Sequence, residues 1–382
     1  MKKSLIKVFL LLLSVAFIST LVSCNYEGGQ DWITDTVGHN CILLGHKWDE
    51  GVITKPATKD NEGEKTFTCQ ICSEHKNEVI PMIEVADTEI YEVDGVKYVN
   101  YGSYPQTHIG NESLIIELNK LTETNDRGYY EYNGKEYAKI ITTPYQYSLV
   151  TDTSYYLMYK DGTKVLNNVI EWFIVEPIKW RVISENSDGS VQIYSEYLLD
   201  ATSYYDSSYS RTIDGVEVYR NNYKYSNVRA WLNGYNGTSY DVIDYTNKGF
   251  YNLAFKDNEK GTFITKEVDN SASTTEYSTN QHTCENTFDK LYLLSYKDLQ
   301  NLNYGFTDDL SRCAKVTDYA KAVGAYWDTS AQYWDNNLYW LRSPSSINRN
   351  EAYFINSNGN ILNYYTSKGH YGVRVACNIY IK

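Results

Sequence analysis

Positive charge is scarce in this chain: 35 Lys and Arg stand against 48 Asp and Glu, for a formal net charge of −13 and a pI near 5.0. A chain of that sign repels a phosphate backbone, so nucleic-acid binding by bulk charge is excluded and any partner must be recognised locally. Mean hydropathy is −0.50, and one long apolar run at the extreme N-terminus is all there is, which excludes a polytopic membrane protein. Catalytic signatures are missing as well. There is no Gly-x-Ser-x-Gly elbow, His-Glu-x-x-His or phosphate-binding loop, and beyond residue 88 the imidazoles are His108, His282 and His370. No nucleophile and base can be paired from these residues. Acids are so numerous that some carboxylate pair at glycosidase separation is inevitable, which leaves that chemistry open without favouring it. Asp241–Asp244 and Asp308-Asp309 lack ordered calcium-ligand spacing and read as solvated.

What the chain has in excess is tyrosine, 39 residues against 10 Phe. Each phenol adds a flat apolar face with a hydrogen-bonding tip, and either a binding surface or plain codon bias accounts for the excess. The length of 382 residues leaves room for one large domain and one small one. Met1-Lys2-Lys3 followed by the nearly apolar Leu5–Val22 has the layout of a secretory signal. Leu21-Val22-Ser23-Cys24 resembles the lipobox of bacterial lipoproteins. That resemblance implies cleavage after residue 23, lipidation of Cys24, a linker over 24–38, and a body on the extracytoplasmic face of the cell membrane, or on an outer membrane if there is one. Two or more acyl chains hold a soluble domain stably at a bilayer where one is marginal.

Six further cysteines follow. Cys41-x4-His46 and Cys69-x2-Cys72 let three thiolates and an imidazole converge on one tetrahedral ion, the pattern of a structural zinc site with no open position. Residues 39–84 are too few and too polar to bury a core unaided, so a staple is expected, and the reading is a zinc-ribbon-like β minidomain. A disulfide between Cys69 and Cys72, or from Cys41 to either, is the alternative in an oxidising compartment. A redox Cys-x-x-Cys lacks the surrounding βαβ pattern. His39 and His75 are spare imidazoles. The stretch 39–81, with Gly45-His46-Lys47-Trp48 and Thr66-Phe67-Thr68-Cys69, resembles a short repeat of bacterial surface proteins, present once.

From residue 88 to 382 period-two alternation and turn residues dominate, and the fold class is α+β, a mixed, β-rich domain. Hairpins are expected around Asp94-Gly95, Asn186–Gly189 and Asn356–Gly359, and helices at Glu112–Leu121, 226–234, Tyr296–Leu302 and Val316–Val323. Cys313 and Cys377 are a candidate disulfide, with Cys284 left over. Trp180, Trp231 and Trp340 read as core anchors. Arg342 and Arg374, each flanked by apolar residues on strands, read as buried guanidinium groups satisfied by carboxylates and carbonyls.

Tyr101–Gln106, Pro177–Val182, Val228–Asn233, Asp289–Ser295, Trp340-Leu341-Arg342-Ser343-Pro344 and Gly372-Val373-Arg374 resemble, in this order, a bacterial domain family of unknown function found in exported proteins. Its ending resembles C-type-lectin-like and formylglycine-generating-enzyme-like folds, although Cys284, Cys313 and Cys377 do not reproduce the latter's reactive pair. The lectin-like resemblance implies that the segment between the Trp340 and Arg374 strands meets ligand. Its Asn348, Arg349, Asn350, Asn363, Tyr364, Tyr365, His370 and Tyr371 combine stiff amphipathic area with adaptable hydrogen bonding, suited to a glycan or a host or neighbouring surface protein. The expectation is a lipid-anchored, non-catalytic binding or adhesion module. The alternatives are an exported enzyme acting on envelope or host glycans and a structural envelope protein with the 364–371 loop folded inward. Convergent carboxylates in a deep cleft would favour the enzyme, and exposed rings on a shallow face the binder.

Overall fold

The computed structural model describes residue 41 and residues 45–149, 157–235 and 244–382. The leader, Cys24, the 24–38 linker, His39 and most of Asp241–Asp244 lie outside the described residues. No helix among the described residues is long and apolar enough to cross a membrane.

Two compact units are present, one containing Cys41, 45–52 and Thr66–Lys76, the other Ile53–Lys65 and Asn77–Lys382. Strands Val52–Lys55, Gly63–Thr68 and His75–Ile80 form a three-stranded sheet in that order. The turn before its second strand is closed by the Thr58 hydroxyl, which accepts from the Asn61 amide at 3.0 Å. Gly63 is required there, because a Cβ would lie 2.5 Å from the Ala57 amide nitrogen.

The larger unit is β-rich with few and short helices. Its backbone is a nine-stranded sheet in which Tyr98–His108 of the strand Val96–His108 pairs antiparallel with Phe173–Arg181 of the strand Ile170–Glu185. Register shifts between Asn100 and Ser103 and between Pro105 and Thr107 bend the first of these. Gly102 sits in the first shift at a φ of 63°, where a Cβ would fall 2.3 Å from the Phe255 ring. Ser190–Ser195 and the final strand Ala376–Ile381 extend the sheet on one side, and Lys135–Ile141 pairs with Ile170–Glu185 farther along. Val85–Ala86, just after the stretch assigned to the minidomain, runs parallel to Ala376–Ile381 and joins this sheet.

A second, five-stranded sheet has the order Asp200–Ala201, Gly372–Val373, Tyr339–Pro344, Glu351–Ile355, Ile361–Tyr365, which leaves the Tyr364-bearing strand at the edge. The large core holds Trp180, Trp231, Trp340 and the aliphatic residues of both sheets. The expected helix at 226–234 is Asn227–Asn233, with the Ser226 hydroxyl capping the Arg229 amide and Gly234 ending it at a φ of 65°. Glu112–Leu118 and Asp318–Ala322 fall inside two other expected helices, capped by Asn111 and Thr317.

Two expectations are corrected. Tyr296–Leu302 is not a helix. The Ser295 amide donates to Asp298 at 2.8 Å and the Asp298 amide to the Ser295 hydroxyl at 3.1 Å, closing a turn that leaves only a 3-10 piece at Asp298–Gln300. Nor do Cys313 and Cys377 form a disulfide, and every described cysteine is free. Cys377 is wholly buried opposite Ile193 and Leu291, whereas the Cys313 thiol turns to the Ser357 carbonyl at 3.4 Å.

Candidate metal centre and recognition face

Cys69 ends the Gly63–Thr68 strand in a bridge to Trp48, and the chain then turns tightly through Gln70–Cys72. The turn is a knuckle: the Ser73 amide donates to the Cys69 carbonyl at 2.9 Å, the Cys69 amide to the Glu74 carbonyl at 2.7 Å, and the Ile71 amide to the Cys69 sulfur at 3.4 Å. Ser73 adopts a left-handed φ of 61° to complete it. Cys41 and His46 face this knuckle, and the four ligand atoms of Cys41, His46, Cys69 and Cys72 all lie within 4.8 Å of one another. Cys41 Sγ is 3.6 Å from Cys69 Sγ, and Cys72 Sγ is 3.3 Å from His46 Nδ1.

Metal–sulfur bonds of about 2.3 Å in a tetrahedron put ligand atoms roughly 3.5–3.8 Å apart, so the four residues fit one ion. Burial, and then the Cys72 and Cys69 sulfurs, push the Cys41 thiol up. Burial also opposes ionisation of Cys69, but hydrogen bonds from the Cys72 and Ile71 amides and His46 outweigh it and bring that thiol down. A cation would satisfy three sulfurs gathered this closely.

On the larger unit, pairing of Glu351 with Tyr365 brings the 347–351 loop beside the Tyr364–Tyr365 edge. Tyr364 and Tyr365 are 42% and 44% exposed, their rings 5.6 Å apart. The polar members of the expected face are mostly spent on holding the loop. Asn348 donates to Glu351 at 2.9 Å and accepts from the Asn350 amide, Asn363 donates to Ser345 at 2.8 Å, and Arg349 meets Glu217 at 3.5 Å. Asn221, wholly buried beneath, donates to the Asn348 and Glu351 carbonyls.

Tyr371 is corrected from ligand contact to core. It is 4% exposed, with its ring 4.3 Å from Trp340 and 4.7 Å from Phe354, so it cannot present a face. His370 is half-buried and stacks on Tyr145 at 4.2 Å and 21°, and Tyr145 in turn meets Tyr326 edge-on at 6.0 Å. Burial, then Lys368, hold the His370 imidazole below its usual value and so favour its neutral form. Tyr145, 52% exposed, comes from far along the chain to meet His370. Sequence reasoning missed it and Tyr326, and the tyrosine excess was the only signal.

The remaining singled-out residues face inward. Trp180 donates to the Tyr101 carbonyl at 2.8 Å, Trp340 to the Thr202 carbonyl at 3.0 Å, and Trp231 packs 5.5 Å from the Phe250 ring. Arg342 donates to Asp298 at 2.7 Å and to the Leu293 carbonyl at 2.9 Å, and despite burial this guanidinium holds the Asp298 carboxyl below its ordinary range. Arg374 is wholly buried, donates to the Ser195 carbonyl at 2.7 Å and lies 4.2 Å over the Tyr194 ring.

An open cleft of about 440 Å³ is lined by Asn125, Arg127, Glu131, Glu136 and Lys256, among others. Glu131 and Glu136 are direct cross-strand partners, a costly placement for like charges. The Asn125 amide donates to both, at 3.2 and 2.6 Å, and Arg127 pairs with Glu136. Those contacts balance the two carboxylates within the fold.

Taken together these features define an α+β, β-rich protein with a four-residue Cys/His cluster near its N-terminus and a partly aromatic edge on its second sheet. Residues 188–381, just over half of the chain, match the family described as Domain of unknown function (DUF6273), and the protein belongs to that family. The matched stretch runs from the turn before Ser190–Ser195 through the last strand. It includes Tyr364 and Tyr365 but neither Tyr145 nor the Cys/His cluster. No curated protein and no solved structure matches the chain.

Proposed function

We propose that this protein is an outward-facing lipoprotein, tethered through Cys24, whose DUF6273 domain binds carbohydrate without cleaving it. The observation that carries the reading is a set of exposed phenols: Tyr364 and Tyr365 on the edge strand, and Tyr145 stacked on His370, are each two-fifths or more exposed. Phenol rings stack on the apolar faces of pyranoses, and a pre-ordered face loses little entropy on binding. The locked Asn348–Glu351 loop supports rigidity, and the exposure of Tyr364 and Tyr365 counts against a wholly inward-folded 364–371 segment. A C-type-lectin-like arrangement, in which the stretch between the Trp340 and Arg374 strands meets ligand, belongs to the same proposal. So does zinc as the ion held by Cys41, His46, Cys69 and Cys72, since three sulfurs and one imidazole in a closed tetrahedron suit it.

Replacing Tyr364 and Tyr365 together with Ala should weaken glycan binding roughly thirtyfold, from two stacking contacts of about 1 kcal/mol each. A glycan array probed with the full mature chain, followed by titration of the best ligand, measures this. Unchanged affinity would reject the face, and binding to proteins alone would redirect the reading to adhesion on a polypeptide. Cys24→Ala should release the protein from the membrane fraction, and continued membrane association would count against lipid anchoring.

A further inference from the structure

The metal centre has a side that its four ligands do not account for. His46 presents Nδ1 to the cluster, 3.3 Å from Cys72 Sγ, and its other nitrogen, Nε2, lies 3.4 Å from Glu74 Oε2. Its ring plane is held by Trp48, stacked at 4.8 Å and 24°, and the Lys76 ammonium lies 5.4 Å from the Trp48 ring. Glu74 also serves the opposite ligand pair, because its carbonyl accepts the Cys69 amide at 2.7 Å and closes the knuckle.

We propose that Glu74 is a positioning residue of the metal centre: its carboxylate accepts the Nε2 proton of His46 and so fixes the ring orientation and the tautomer that leaves Nδ1 unprotonated toward the ion. A metal-bound imidazole commonly donates its other N–H to a carboxylate, and loss of that partner costs about 10- to 100-fold in metal affinity. The proposal rests on the reading of Cys41, His46, Cys69 and Cys72 as a metal site. In the absence of metal the pair has little to do, because the Glu74 side chain is 68% exposed and an ion pair in that setting contributes little to folding. The effect of Glu74 therefore falls on metal binding, where a merely structural surface residue would have none.

The test uses the full mature chain, reduced, with Zn2+ and Co2+ as probes. Wild-type protein should bind one Co2+ with the intense sulfur-to-metal absorption of thiolate ligation, and competition against a chromophoric chelator gives its Zn2+ affinity. Glu74→Gln should keep that absorption, because all three sulfurs remain, while its Zn2+ affinity falls about tenfold or more. Glu74→Asp, which retains the charge on a shorter arm, should recover part of the loss. A Zn2+ affinity of Glu74→Gln within twofold of wild type would overturn the role of Glu74 and leave the four-ligand site standing. A wild-type chain that takes up neither ion would overturn the metal centre itself, and the proposal with it.

Discussion

Cys69→Ser should abolish tight metal binding and leave the 45–80 segment largely unfolded. Between residues 45 and 80 only Gly63 and Cys69 are buried, while Val52 and Val79 are 57% and 66% exposed. With no apolar core, the segment has little besides the Cys/His cluster to oppose its chain entropy. Structural zinc contributes about 10–16 kcal/mol of apparent binding free energy in small metal-folded modules, far more than three short strands can supply. Amide exchange over Gly63–Thr68 and His75–Ile80 measures the loss, and removal of metal with a chelator from the wild-type chain should reproduce it. Protection unchanged by both treatments would mean that the sheet holds without the ion.

Arg229→Ala is expected to be the most damaging single change in the larger unit. Asp289 is wholly buried, and Arg229 Nε donates to both of its carboxylate oxygens at 2.9 Å, with Nη2 adding a contact at 2.8 Å. Thr287 and Tyr235 complete the shell at 2.7 and 3.0 Å. Removal of the guanidinium strands a buried carboxylate, a loss of about 3–5 kcal/mol. For a domain of this size that corresponds to a fall in Tm of roughly 10 °C. Pairing Arg229→Met with Asp289→Leu removes both charges and should restore much of the stability, since a buried pair contributes little net over apolar residues of similar volume. Thermal denaturation of the single and double variants separates the two effects. A single variant that melts within 2 °C of wild type would show that Asp289 finds another partner or water.

The Cys/His cluster was legible because such a grouping depends on residue types at short spacing. Two cysteines separated by two residues are a short-range signal for a knuckle, and the approach of Cys41 and His46 needed tertiary structure. Glu74 was not legible as His46's partner, since nothing in a surface glutamate two residues past a cysteine says which ring it will meet. The helix at Asn227–Asn233 was readable from its serine cap and terminal glycine, local signals that the fold had no reason to override. Tyr296–Leu302 carried helical spacing too, but Asp298 is drawn into a turn with Ser295 and across to Arg342, and that distant cation cannot be seen in local pattern.

The exposed tyrosines show the same division. Alternating strands, turn glycines and the tyrosine excess are properties of residue order, and they were enough to imply a β-rich domain with aromatic surface to spare. Which rings look outward is a matter of register and sheet order. Tyr364 lies on an edge strand and is exposed, whereas Tyr371, a few residues on, is covered by Trp340 and Phe354, and Tyr145 arrives from outside the family-matched stretch to stack on His370. Local chemistry travels with the chain, but exposure depends on what long-range pairing places on top, and that is decided only when the sheets assemble.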